Sequence, residues 1–164
     1  MNTNNAWILH VEDDENDVML QQYAFERAGL KNPIHVARDG QEAIDFLTPA
    51  AVGKGPETNP LPFLVLLDLK LPLKSGFDVL KWIRQQPQLS GLPVIVLTSS
   101  HAPTDVLRAY ELGANSFILK PIDHGERVRM AEALKNWWLH YNLLPAPFSV
   151  SGPEREREPV SVSL

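Results

Sequence analysis

Phe63-Leu-Val-Leu-Leu-Asp68 decides the fold: an unbroken apolar run closed by a carboxylate. A short run of this kind fits a strand buried on both faces, as in a parallel sheet. Three other runs have the same form. Trp7-Ile-Leu-His-Val11 leads into Glu12-Asp13-Asp14, Pro93-Val-Ile-Val-Leu97 into Thr98-Ser99, and Phe117-Ile-Leu119 into Lys120-Pro121. The carboxyl ends of the strands in an open parallel sheet share one edge, so these polar groups would converge on one crevice.

The rest of the chain alternates accordingly. Strands are expected near 6–11, 33–37, 63–67, 93–97 and 116–119, and helices near 14–28, 40–47, 75–86, 103–112 and 123–143. Asp14 is placed to cap the first helix with Asp17 at its third position, and Asp123 with Glu126 reads as a capping box. Gly29 and Gly113 stand where carboxyl-terminal caps belong. Five such units with right-handed connections make an α/β fold, a doubly wound parallel sheet with helices on both faces. Of fourteen prolines, Pro49, Pro56, Pro60 and Pro62 mark a long loop over Thr48 to Pro62. Pro145, Pro147, Pro153 and Pro159 follow Leu144, together with the mixed-charge run Glu154-Arg-Glu-Arg-Glu158. Residues 1–144 therefore read as one domain and 145–164 as a flexible tail.

Composition narrows the function. The chain has 164 residues, 44% hydrophobic and 21% charged, which describes a soluble globular protein. Cysteine is absent, which removes disulfides, thiolate metal sites and cysteine nucleophiles. No signal peptide and no apolar run of membrane-spanning length are visible, so a cytoplasmic protein without a membrane partner is expected. A net charge of -5 counts against a nucleic-acid partner.

Glu12, Asp13 and Asp14 facing Asp68 would repel one another unless a cation intervened. A hard divalent ion such as Mg2+ is the simplest remedy. Asp13 and Asp68 would bind it directly, with the Lys70 backbone carbonyl as a third ligand and Glu12 acting through water. Asp14 and Asp17 read more simply as helix-capping groups. Asp68 is open to three roles, as general base, metal ligand or nucleophile forming an aspartyl phosphate. Lys120 and Thr98 are what a phosphoryl group there would need, a compact cation and a hydroxyl donor. A dinucleotide enzyme would need Gly-x-Gly-x-x-Gly where this chain has Glu12-Asp-Asp-Glu15. An aspartate-dependent phosphohydrolase would need a carboxylate where Lys70 stands. The five histidines show no metal-binding spacing, and no nucleophile elbow surrounds Ser99 or Ser100.

Val11-Glu12-Asp13-Asp14, Asp68-Leu-Lys-Leu-Pro72 with Gly76, Leu97-Thr98-Ser99 and Lys120-Pro121 together resemble the receiver domain of two-component response regulators. Ser99-Ser-His101, Ala109-Tyr-Glu-Leu112, the loop at 48–62 and Trp137-Trp-Leu139 leading to Leu144-Pro145 resemble the single-domain regulators paired with bacterial phytochromes. The resemblance implies a flavodoxin-like five-stranded sheet of order 2-1-3-4-5 with five helices. It implies a signalling phosphoacceptor rather than an enzyme, with Asp68 taking a phosphoryl group from a sensor histidine kinase. Mg2+ would be held by Glu12, Asp13, Asp68 and the Lys70 carbonyl. Thr98 and Lys120 would bind the phosphoryl oxygens, and Thr98 and Phe117 would form the conformational switch. Output would pass through protein contacts or onward phosphorelay; the alternative is an interaction module that works without phosphate.

Two further expectations concern rate and partners. Neither Lys70 nor Ser100 is suited to orient an attacking water, so self-dephosphorylation should be slow. In the last helix Val128, Ala131, Leu134, Trp138 and Tyr141 recur at helical spacing and should face the sheet. Met130, Ala133 and Trp137 form an offset stripe, a candidate homodimer surface built with the fourth helix and last strand.

Overall fold

The computed structural model describes residues 6–52, 61–145 and 148. Five strands form one parallel sheet: β1 (Ile8–Val11), β2 (Ile34–Ala37), β3 (Leu64–Leu67), β4 (Val94–Thr98) and β5 (Ser116–Leu119). Their order is β2-β1-β3-β4-β5, as the resemblance implies. The helices α1 (Glu15–Arg27), α2 (Gly40–Ala51), α3 (Gly76–Gln85), α4 (Pro103–Glu111) and α5 (His124–Lys135) follow the strands in turn.

Every residue of β1, β3 and β4 is buried, which explains why these strands read as continuous apolar runs. Alternation divides their side chains between two cores. Leu9, Val11, Val65, Leu67, Val94 and Val96 pack with α2, α3 and Ala109 of α4. Ile8, Leu64, Leu66 and Ile95 pack on the other side with Phe25 of α1 and Ala131 and Leu134 of α5. The even-numbered positions of β1 and β3 thus face α1 and α5, which fixes on which side Glu12 and Asp68 emerge.

The caps explain most of the boundaries. Asp14 accepts from the Asp17 amide at 3.0 Å. Gly29 and Gly113 take φ values of 73° and 96°, the left-handed conformation that ends α1 and α4. Asp123 caps α5 through the Glu126 amide at 2.9 Å, but the Glu126 carboxylate pairs with Arg129 and leaves the expected box half formed. The reciprocal box instead belongs to Ser75 and Asp78 at the start of α3.

Three expectations are corrected. Helix α2 continues to Ala51, through Pro49, where a loop was expected from Thr48. Pro49 lies in the last turn, so its missing donor costs only one terminal bond, and Val52 still donates to Thr48. The remainder of that loop, 53–60, lies outside the described residues. Helix α5 stops at Lys135 and a π-helical turn, Asn136–Tyr141, replaces its expected last turns. The wider turn changes the angular step between residues, so Tyr141 leaves the sheet-facing stripe and stands 69% exposed. Phe148, past the expected domain boundary, is buried at 4% exposure against Gly91. Most of the remaining tail lies outside the described residues.

Candidate functional site

The parallel register brings the strand ends together. Val11 stands beside Leu67, and the Asp68 amide donates to the Val11 carbonyl at 3.1 Å, so Glu12 and Asp68 leave the sheet side by side. The Lys120 amide donates to the Thr98 carbonyl at 2.8 Å, which extends the β4–β5 ladder to the same edge. One ligand atom from each of Glu12, Asp13 and Asp68 lies within 4.8 Å of the others. Among the described residues this is the one such group of potential metal ligands.

Lys120 Nζ lies at the centre of the carboxylates. It is 2.6 Å from Glu12 Oε2, 2.8 Å from Asp17 Oδ2 and 3.0 Å from Asp68 Oδ2. Both the lysine and Asp68 side chains are buried, and Asp68 Oδ1 accepts from the Leu69 amide at 2.7 Å. The Asp68 carboxylate is thereby held by both oxygens. The Glu12 contact is close but poorly angled, so Oε2 has an ion-pair partner and no aligned donor. That lone pair remains able to face a cation, and three carboxylate oxygens are the hard donors Mg2+ takes. The residues therefore fit the ion.

The electrostatics follow from one ammonium shared among several acids. Burial raises the Glu12 pKa from 4.5 to about 7, and the Asp68 charge adds to it, despite the opposing pull of Lys120. Lys120 is pushed the other way: burial alone would lower its pKa, but Asp17, Glu12 and Asp68 together hold it above the ordinary lysine range. The two shifts agree physically. A single cation cannot neutralise three carboxylates, so the most buried of them titrates near neutrality. His10, buried beneath the site on the same face of β1, falls from 6.5 to about 4, first through burial and then through the Lys120 charge.

The surrounding loops differ in how firmly they are held. Thr98 is fully buried, its Oγ1 accepting from the Ser100 amide at 3.3 Å, and Ser100 Oγ donates to Asp105 at 2.5 Å. Phe117 is half-buried on β5, its amide donating to the Tyr110 hydroxyl at 3.2 Å. The β3–α3 loop is tightly pinned. A Cβ on Gly76 would overlap the Asp68 carbonyl and one on Gly40 the Lys74 carbonyl, while the Pro72 carbonyl accepts from Gly40 and Lys74. Leu73 holds φ at 63° within that loop.

Sequence reading placed Asp13, Asp68, Glu12, Thr98 and Lys120 at one edge, and the structure brings them there. Lys70 is exposed after Asp68, as a loop lysine. Asp17 was missed. Its amide does take part in the Asp14 cap, but its side chain reaches Lys120 and, at 3.5 Å, Arg127 Nη2. The only sequence signal was an acid one turn inside a helix that starts at the crevice. Met130 and Trp137 stand away from the site, lining a groove of about 540 Å3 with Ile118, Ala133 and Trp138. Trp137 is 57% exposed.

The family model for the response regulator receiver domain matches residues 8–132. The chain belongs to that family. It is 41% identical over 140 residues to the probable methanogenesis regulatory protein FilR2 of Methanothrix harundinacea, covering 85% of this chain and 88% of that one. It is 37% identical over 139 residues to the response regulator Rcp1 of Synechocystis, covering 85% and 92%. The Mn2+-bound crystal structure of Rcp1 superposes with a TM-score of 0.74, covering 86% of this chain and 99% of that one. The phosphorylated cyanobacterial phytochrome response regulator RcpA is 32% identical, with a TM-score of 0.76 and coverage of 87% and 99%. This receiver is therefore a response regulator of two-component signalling, a family in which an aspartate is phosphorylated at an acidic, metal-binding cluster. Among the described residues no helix is long and apolar enough to cross a membrane.

Proposed function

We propose that Asp68 is the phosphoacceptor, that a sensor histidine kinase is the donor, and that Glu12, Asp13, Asp68 and the Lys70 carbonyl hold Mg2+. The observation that carries this reading is the Asp68 carboxylate, fixed at one oxygen by Leu69 and at the other by Lys120 inside the acidic cluster. An Asp68 oxygen attacks the phosphorus of the donor phosphohistidine as the phosphorus–nitrogen bond breaks. The imidazole leaves with the electron pair and takes a proton from solvent. Mg2+ held by these residues would supply charge neutralisation for the phosphoryl oxygens. Lys120 neutralises a further oxygen and Thr98 donates its hydroxyl to another; Phe117 follows the threonine when it moves. The receiver itself acts as a signalling phosphoacceptor, not as an enzyme.

RcpA is a cyanobacterial phytochrome response regulator, and that supports a phytochrome-type kinase as the partner here. The exposed Trp137 and half-buried Met130 support a homodimer through the α4-β5-α5 face, which Trp137→Glu should dissociate in sedimentation. We place the receiver domain at 1–144 with 145–164 as a tail tethered at Phe148, and the protein in the cytoplasm. The deciding experiment is intact mass after incubation with acetyl phosphate and Mg2+. One added phosphoryl group is expected, absent from Asp68→Asn and from a chelated control. An adduct that survives Asp68→Asn refutes the assignment, and no adduct from any donor, cognate kinase included, favours a module that works without phosphate.

A further inference from the structure

Lys120 is also held by a carboxylate that is not among the proposed metal ligands. Asp17, on the first turn of α1, approaches Nζ at 2.8 Å with Oδ2 and Arg127 Nη2 at 3.5 Å with Oδ1. Arg127 Nη2 also donates to the Pro121 carbonyl at 3.0 Å. Pro121 follows Lys120 directly, so the contacts close a ring: Lys120, Asp17, Arg127, Pro121. The ring ties the end of β5 to α1 and α5.

The cost of this ring argues that it is more than surface pairing. Arg127 is 5% exposed, in the face of α5 that otherwise packs through Ala131 and Leu134. A guanidinium in that position is expensive unless its charge is engaged, and its Nε has no partner. Gln21, one turn beyond Asp17 on the buried stripe of α1, likewise leaves both amide atoms unpartnered. An apolar α1–α5 interface would pack without these groups. The polar patch begins at the one carboxylate that reaches the lysine from outside the acceptor cluster.

An ammonium has three N–H donors; here Nζ donates to Asp17 and Asp68 and has Glu12 at ion-pair distance. Two of those partners change role in the proposed reaction: Glu12 turns to the metal and Asp68 becomes an acyl phosphate. We propose that Asp17 is a positioning residue for Lys120, keeping one N–H fixed while the other two transfer to phosphoryl oxygens, with Arg127 fixing the direction of the carboxylate. This rests on Asp68 being the phosphoacceptor.

The test uses the full chain, acetyl phosphate and Mg2+, with initial phosphorylation rates read by intact mass. Asp17→Ala should lower the rate about tenfold, the loss of one well-placed charged contact. Asp17→Glu, which keeps the charge, should recover part of it. In a Lys120→Gln background, followed over longer incubations, Asp17→Ala should change the rate less than about twofold, because the residue acts through the lysine. A parent-like rate in Asp17→Ala, or the same tenfold loss in both backgrounds, overturns the proposal. The 15N-labelled Lys120 ammonium gives a second readout without any phosphoryl donor. Its resonance should be resolved in the parent and broadened by water exchange in Asp17→Ala. If the parent takes no phosphoryl group from acetyl phosphate or from its cognate kinase, the assignment of Asp68 fails, and an ammonium signal unchanged in Asp17→Ala still overturns the role of Asp17.

Discussion

His10→Leu should change how stability depends on pH more than it changes stability at neutrality. His10 lies in the middle of β1, buried, with Nδ1 unpartnered. Its pKa falls from 6.5 in the unfolded chain to about 4 in the fold, so between those values the unfolded state takes up a proton that the native state refuses. A depressed base contributes stability that is whole above 6.5 and is lost as pH drops through 4. At 1.36 kcal/mol per pH unit the loss reaches about 3 kcal/mol near pH 4.

Glu12 has the opposite sign. Its folded pKa is raised from 4.5 to about 7, so its favourable contribution is whole below 4.5 and disappears as pH rises through 7. Acidification from 7 therefore strengthens the fold through Glu12 by about 3 kcal/mol, close to what His10 takes away. The parent should respond weakly to acid through this pair, and His10→Leu should expose the Glu12 effect. Urea unfolding in chelator at several pH values between about 7 and 4 would measure it. The stability of the variant relative to the parent should grow by about 3 kcal/mol across that range, at unchanged denaturant slope. A difference that stays constant within about 1 kcal/mol would refute the reasoning, because His10 would then titrate alike in both states.

Three other outcomes follow from the same contacts. Lys120→Met should bind Mg2+ at least about tenfold more tightly by calorimetry, since the ammonium no longer competes for Glu12 and Asp68; weaker binding would show that the lysine does not occupy the metal site. Ser100→Glu should shorten the phosphoryl lifetime on Asp68, because a carboxylate two residues after Thr98 can orient water; an unchanged decay by intact mass counts against it. Arg84→Ala should shift the urea midpoint by an amount worth about 2–4 kcal/mol. Arg84 donates to the carbonyls of Ser90, Leu92 and Gly113 and to the Asn115 side chain, at 2.9–3.2 Å, and its loss strands several of them.

The sheet was legible because β1, β3 and β4 are buried on both faces and their sequences carry no polar interruption except His10. The site was legible because each polar group follows such a run directly, so locating the strand end located the side chain. What escaped has local causes. Pro49 marked a helix end in sequence, yet a proline in the last turn costs too little to stop α2. The π turn at Asn136–Tyr141 leaves the apolar spacing of Trp137, Trp138 and Tyr141 superficially helical, and only the backbone reveals the changed phase. Phe148 sat in a proline-rich stretch whose composition masked one buried anchor. Asp17 looked like a capping acid because its partners, Lys120 and Arg127, lie over a hundred positions away.

The glycine contacts of the β3–α3 loop bear on where a signal can travel. Gly76 backs directly onto the Asp68 carbonyl and Gly40 onto Lys74, so that flank of the crevice has no slack to absorb a displaced atom. The opposite flank is built more loosely: α4 has Ala102 at its N-cap and so no side-chain cap, buries only Ala109, and rests on a half-exposed β5. A new group at Asp68 thus meets a rigid wall on one side and a compliant one on the other. Of these two flanks, the one toward α4 and β5 is the one with room to yield.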